Sequence, residues 1–157
     1  MTKITLIVVG KTNQKYVEEV VLEYAGRLKH YVSFEIVTIP ELKDTKSIPL
    51  AVQKQKEGEL ILKKLQNTDE VILLDDKGKE FTSMEFAAFI EKKSMLNKQI
   101  VFVIGGAFGF SPEVYKRAND KISFSRMTFS HQIIRIIFAE QLYRAFTILR
   151  GEGYHHE

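Results

Sequence analysis

Short runs of apolar residues alternate along this chain with longer segments in which apolar residues recur every three or four positions. The short runs are typical of strands buried on both faces, and the longer segments are typical of helices with a buried face. The pattern predicts strands at 4–9, 33–39, 71–74, 100–104 and 122–129, and helices at 12–30, 50–65 and 131–149. Strands that alternate with helices in this way predict an α/β fold, with a mostly parallel sheet flanked by helices.

Helix-capping patterns locate two further helices. Thr82 and Glu85 have the spacing of a capping box, and Ser111 is followed by a proline and a glutamate, an order that favours a helix start. Ser130 is a cap of the same kind for the last helix. Neither a repeat nor a proline-rich linker divides the chain, so we expect one domain over residues 1–157.

The predicted last helix has apolar residues on every side of its axis. A helix of this kind is normally buried all round, yet here it closes the chain of a small domain. Its own sheet can cover only one side. We therefore expect a homodimer in which a second copy covers the other side.

The amino-acid composition excludes several kinds of functional site. The 157 residues include no cysteine, which excludes disulfides, thiolate nucleophiles and cysteine-based zinc sites, and the four histidines lack metal-ligand spacing. No apolar run approaches the roughly 18 residues of a membrane span, and the first residues do not resemble a secretory signal. We expect a cytoplasmic protein that uses no metal.

The distribution of charge favours a nucleic acid partner slightly. The net charge is only +3, but four of the six arginines lie at position 126 or later. Residues 121–150 carry five cations and a single acid. Arginine is suited to forked contacts with phosphate, although a solvated helix face explains the same pattern.

Two further features suggest an anionic or nucleotide ligand. The glycines after the strand 100–104 have the spacing Gly-Gly-x-x-Gly, which is not a dinucleotide-binding fingerprint but lets a ligand approach the backbone. A plain tight turn is the alternative. His131 and Arg135 share one face of the first turn of the last helix, where phosphate is welcome, although both side chains can equally be solvated.

Four ordered motifs together resemble the RlmH family, the small SPOUT-class methyltransferases of large-subunit ribosomal RNA. The motifs are Val103-Ile104-Gly105-Gly106-Ala107-Phe108-Gly109, Ile122-Ser123-Phe124-Ser125-Arg126-Met127-Thr128-Phe129-Ser130-His131-Gln132, Glu140-Gln141-Leu142-Tyr143-Arg144-Ala145-Phe146 and Arg150-Gly151-Glu152-Gly153-Tyr154-His155. The similarity covers the whole chain and includes Lys56-Glu57-Gly58-Glu59.

The resemblance implies a SPOUT fold with a C-terminal trefoil knot and a homodimer. It implies transfer of a methyl group from S-adenosylmethionine to N3 of the pseudouridine at position 1915 of 23S rRNA, on the assembled ribosome. The implied cofactor site consists of Leu74, Gly105, Phe124, Ser125, Arg126, Met127, Thr128 and Phe129. These residues lie where predicted strands end, as ligands of open α/β sheets require.

The candidate catalytic residues are His131, Arg135, Tyr154 and His155. The reaction needs alignment of the substrates and removal of the N3 proton, and the sequence leaves open which residue is the base. We expect Arg135 to contact RNA or the target base, and the glycine-hinged tail to be a mobile aromatic segment near the site. Another RNA target such as tRNA, or a non-enzymatic RNA-binding module, stays possible at this point.

Overall fold

Residues 2–156, which the computed structural model describes, form a five-stranded sheet with five α-helices packed on its two faces. Met1 and Glu157, the ends of the predicted domain, lie outside the described residues. The strands are β1 (Lys3–Val9), β2 (Ser33–Ile39), β3 (Glu70–Glu80), β4 (Ile100–Ile104) and β5 (Asp120–Ser123). The helices are α1 (Lys15–Leu28), α2 (Leu50–Lys63), α3 (Ser83–Ser94), α4 (Pro112–Arg117) and α5 (Ile133–Leu149), and a 3₁₀ turn lies at Thr45–Ser47.

The strand order is β2-β1-β4-β3-β5, and each neighbouring pair is parallel. β4 lies at the centre because all five of its residues are apolar and buried. On one face of the sheet, Leu6 and Phe102 share a core with α1, α3 and α5, whereas Ile7 and Val103 on the other face share a core with α2 and α4. Burial on both faces explains the continuous apolar runs. The prediction of a mostly parallel α/β sheet is confirmed.

β3 is longer than the predicted strand 71–74. It continues to Glu80, and its register against β5 shifts between Leu74 and Lys79. Gly78 makes the continuation possible, since a Cβ at this position would lie 2.5 Å from the carbonyl carbon of Ile122. The missing side chain lets two backbones approach beyond the predicted end of the strand.

The predicted strand 122–129 is wrong beyond Ser123, where β5 ends. The Ser123 hydroxyl accepts a hydrogen bond from the Ser125 amide, and the Ser125 hydroxyl accepts one from the Met127 amide. Such local bonds compete with strand pairing and form a loop. α5 then begins at Ile133, two residues later than predicted, and its amide donates to the Ser130 hydroxyl.

α5 packs against both α1 and α3. Phe138 and Leu142 are fully buried on this side, whereas Ile133 on the helix is exposed. None of the helices between residues 2 and 156 has the length and hydropathy needed to cross a bilayer.

Candidate active site

A cavity of about 450 Å³ opens at the carboxyl ends of β3, β4 and β5. Leu74 on β3, Ile104 on β4 and Phe124 after β5 line it together. The strands are parallel, so their carboxyl ends meet at one edge of the sheet, where ligands of open α/β sheets bind. The volume is that of a typical small-molecule site.

The structure brings together seven of the eight residues predicted to bind the cofactor. The residues that line the cavity are Leu74, Gly105, Phe124, Ser125, Met127, Thr128 and Phe129. Arg126 is not among them: its side chain is 88% exposed and pairs with Glu80 at 3.8 Å. Neighbouring side chains in an extended loop point in different directions, so a contiguous motif does not place all its members in one cavity.

The loop 124–129 combines a fixed aromatic wall with an open rim. The Phe124 ring packs edge-on against Phe86, with 5.3 Å between the ring centroids, and stacks on Phe138 at 6.2 Å. Met127 is 76% exposed, and Phe129 is also exposed. Exposed apolar side chains at the rim of a cavity offer contact area to a bound ligand.

The absence of a side chain at Gly105 is required by the neighbouring ring of Phe110. A Cβ at this position would lie 2.8 Å from the ring of Phe110. That ring is almost completely buried and packs edge-on against Tyr115, with the centroids 5.7 Å apart. The glycine therefore accommodates the Phe110 ring beneath the cavity, a requirement that neither the ligand nor the tight turn expected from the sequence includes.

Asp75 adds a carboxylate to the cavity that sequence reasoning missed. Its side chain accepts hydrogen bonds from the Tyr115 hydroxyl and, at 2.9 Å, from the Lys77 amide. Burial alone would raise the pKa of Asp75. The two hydrogen bonds lower it by more than burial raises it, so the net shift is downward. Burial and the contact with Asp75 raise the pKa of Tyr115 to about 12. Asp75 is therefore an ionised acceptor at neutral pH, and its position directly after a buried apolar run was the available signal.

Residues 2–155 match the family model described as "Predicted SPOUT methyltransferase". The chain belongs to the SPOUT methyltransferase family. It is 58% identical over 156 residues to "Ribosomal RNA large subunit methyltransferase H" of Parabacteroides distasonis and 56% identical to the protein of that name from Phocaeicola vulgatus, in each case over 99% of both chains. The resemblance found in the sequence is thereby confirmed.

A solved structure supports the same fold. A probable methyltransferase from Bordetella pertussis Tohama I superposes with a TM-score of 0.58 at 12% identity, over 92% of this chain and 95% of that one. At this identity the likeness concerns the fold alone. The trefoil knot stays a prediction that follows from SPOUT membership.

Of the four predicted catalytic residues, His131 is the one that lines the cavity of this SPOUT methyltransferase. It lies between the loop 124–129 and the first turn of α5. An imidazole nitrogen beside a bound substrate is a suitable acceptor for a proton.

The environment of Arg135 differs from the expected contact with RNA or the target base. Its side chain is 1% exposed, and the guanidinium donates to the carbonyl oxygens of Val9 at 2.9 Å and Gly10 at 3.0 Å. Further bonds reach the Thr12 hydroxyl and the His131 carbonyl, both at 2.9 Å. This position does not fit the predicted contact with RNA. Arg135 instead joins the end of β1 to the segment that carries His131.

The end of α5 is closed by a Schellman motif rather than by a loose hinge. Gly151 adopts a φ of 67°, and its amide donates to the Ile148 carbonyl at 3.0 Å. The Glu152 amide donates to the Thr147 carbonyl at 2.9 Å. This bond pattern requires a left-handed residue after the helix, which glycine adopts without strain.

Tyr154 and His155 lie against the surface of α1 and α5, apart from the residues that line the cavity. The Tyr154 ring packs edge-on against Tyr143 with centroids 4.8 Å apart. Its hydroxyl donates to Glu140 at 3.1 Å and shares a 3.3 Å hydrogen bond with Tyr24. Burial and these two partners raise the pKa of Tyr154. Tyr154 and His155 are thus packed against their own chain, and neither of them lines its cavity, so the mobile tail stays a prediction.

Proposed function

We propose that this SPOUT methyltransferase transfers a methyl group from S-adenosylmethionine to N3 of a pseudouridine in large-subunit ribosomal RNA, on the assembled ribosome. The observation that carries the proposal is the cavity at the carboxyl ends of the strands, lined by seven residues of the family motif. Relatives more than half identical over nearly their whole length, named ribosomal RNA methyltransferases, support the substrate class. A ribosomal substrate implies a cytoplasmic protein.

The side chains that line the cavity fit S-adenosylmethionine. Leu74, Ile104 and Phe124 provide apolar walls for an adenine ring. The ionised Asp75 carboxylate provides an acceptor for ribose hydroxyls. When bound, S-adenosylmethionine supplies an activated methyl group on a sulfonium, so no metal is needed. The chain has to align the donor with the base and exclude water.

His131 is the proposed proton acceptor for the N3 imide. It is the one candidate of the four that lines the cavity of its own chain. A base within reach of the reacting nitrogen removes the proton as the methyl group is transferred. Lys54 and Lys77 also line the cavity and favour the approach of a polyanion.

A homodimer would bring Tyr154 and His155, the two candidates in the tail, to a cavity. Tyr154 and His155 contact the outer side of α5, and α5 also carries the exposed Ile133. If two copies pack along α5, the tail of one chain can reach the cavity of the other. The aromatic rings would then lie beside a base held away from its stack.

The test is transfer of labelled methyl groups from S-adenosylmethionine to purified ribosomes, followed by nucleoside analysis. Ribosomes from a strain that lacks this gene should gain N3-methylpseudouridine, whereas ribosomes from the parent strain, already modified, should gain none. Bulk tRNA and protein-free rRNA are the parallel substrates. Label only in tRNA would refute the ribosomal target, and failure to bind S-adenosylmethionine in calorimetry would refute the methyltransferase itself.

A further inference from the structure

The segment Lys56-Glu57-Gly58-Glu59 of α2 contacts the glycine loop of the cavity, 105–109. The Gly106 amide donates a hydrogen bond to the Glu57 carboxylate at 3.1 Å. The two residues are 49 positions apart, so this bond joins a helix on the outer layer to the end of the central strand β4. Glu57 itself is partly buried.

The carboxylate also lies tightly against the backbone that it binds. A Cβ on Gly106 would lie 2.8 Å from Glu57 Oε2, closer than side chains pack. An alanine at position 106 would therefore displace the carboxylate. The glycine and the glutamate are matched to each other in shape as well as in hydrogen bonding.

The next residue of α2 lies close to Ser111, two positions after the same loop. A Cβ on Gly58 would lie 2.4 Å from the hydroxyl of Ser111, the residue that caps α4. Gly58 therefore lets α2 approach the start of α4 closely. Lys54, one turn earlier on α2, lines the cavity itself. α2 thus contacts the loop itself at Gly106 and the chain just after it at Ser111.

We infer that Glu57 is a positioning residue of the methyl-donor site, whose carboxylate holds the Gly106 amide and so keeps the loop 105–109 in place as a wall of the cavity. The inference deepens the proposed function and rests on it. The loop needs such a holder because three of its five residues are glycines, whose backbone freedom is largest. Glu57 acts through Gly106 and is not assigned contact with the reacting atoms.

The experiment compares Glu57→Ala, Glu57→Gln and Glu59→Ala in calorimetry with S-adenosylmethionine and in steady-state methylation of ribosomes. Glu59 is the matched control, since it is an exposed glutamate two positions away on the same helix. For Glu57→Ala, the Kd and KM for S-adenosylmethionine should rise about five- to tenfold, the loss expected for one hydrogen bond of ordinary strength, with a much smaller change in kcat. Glu57→Gln keeps an oxygen acceptor for the amide and should recover most of the affinity, and Glu59→Ala should match the wild type.

A second comparison tests the coupling of the two residues. Gly106→Ala should weaken binding to a similar degree, and the double variant should be no weaker than either single variant, because both changes break the same contact. Wild-type affinity in Glu57→Ala, or a Glu57→Gln variant as weak as Glu57→Ala, would overturn the inference. Additive losses in the double variant would overturn the coupling. A wild-type chain that does not bind S-adenosylmethionine refutes the proposed function instead, so the two failures are distinguishable.

Discussion

Arg135 donates a hydrogen bond of 2.9 Å to the carbonyl oxygen of Val9, which lies 126 residues earlier in the chain. A guanidinium is always charged and offers five donors, so its burial is tolerated only where acceptors surround it. Here the acceptors are the carbonyls at the end of β1 and the carbonyl of His131. The residue that positions the proposed base is thus held by the first strand of the sheet.

Replacing Arg135 with alanine should destabilise the fold. The change removes the guanidinium donors from the buried carbonyls of Val9 and Gly10, and each lost bond from a charged group costs about 1.5–3 kcal/mol. We expect a loss of about 3 kcal/mol or more in the free energy of unfolding, measured by urea denaturation, with loss of both cofactor binding and methylation. Arg126→Ala is the matched control and should unfold like the wild type, since that side chain is exposed. Wild-type stability with a selective loss of methylation would instead support contact of Arg135 with RNA.

Arg126→Ala should also leave the Kd for S-adenosylmethionine within about twofold of the wild type, because substitutions at exposed sites have small effects. The side chain lies outside the cavity, although its neighbours line it. Calorimetry measures the affinity directly. A loss of tenfold or more would mean that Arg126 turns into the cavity when the ligand binds.

Gly105→Ala should destabilise the protein through the Phe110 ring. The new methyl group would meet a buried aromatic ring at 2.8 Å, and overpacking of this kind costs about 1–3 kcal/mol. Thermal unfolding should show a lower Tm for the single variant. The double variant Gly105→Ala with Phe110→Leu should regain part of this loss, because leucine has no ring at the contact. A double variant less stable than the sum of both single losses would contradict the assignment.

The contact between Asp75 and Tyr115 should make stability depend on pH in the acid range. The pKa of Asp75 in the folded protein lies below its ordinary value of 3.8, so the contribution of the ionised carboxylate is present above that value and is lost as the pH falls below it. Tyr115→Phe should therefore lower stability by about 1 kcal/mol near neutral pH, a modest figure because the pair is partly exposed. The difference from the wild type should shrink in acid, as the pH falls from 3.8 toward the lowered pKa of Asp75 in the folded protein. A difference that is constant between the two conditions would show that the tyrosine acts by packing alone.

Deleting residues 153–157 should abolish most methylation of ribosomes and spare the cavity. Of these residues, Glu157 lies outside the described part of the chain. The truncated chain should bind S-adenosylmethionine like the wild type, because Tyr154 and His155 do not line the cavity of their own chain. Its methylation activity is measured on ribosomes from the strain that lacks the gene.

Mixing two inactive variants tests whether the tail acts across a dimer. Thr128→Arg fills the cavity rim with a charged side chain, and the truncated chain lacks the tail. Co-refolded in equal amounts, they should regain about a quarter of wild-type activity, since half of the dimers are mixed and each mixed dimer has one complete site. Mixed dimers without activity would contradict a site shared between subunits.

The sequence by itself determined the elements whose causes are local. The apolar runs at 4–9 and 100–104 are strands, and Thr82 with Glu85 forms the predicted capping box through bonds of 3.1 and 2.8 Å. Periodicity and capping depend on residues three or four positions apart, which a sequence displays directly. Most of the cofactor residues that the family motif predicts also line the cavity, because they follow strands that end at one edge of the sheet.

Only the tertiary structure decided where the long polar side chains point. Arg135 and His131 share a helix face in the sequence, yet Arg135 turns toward β1 and His131 toward the cavity. The partner of Glu57 lies 49 residues away, and the partner of Tyr154 at Tyr24 lies 130 residues away. The side chain of a buried polar residue takes the direction in which its hydrogen bonds can be satisfied, and that direction depends on which distant segments fold beside it.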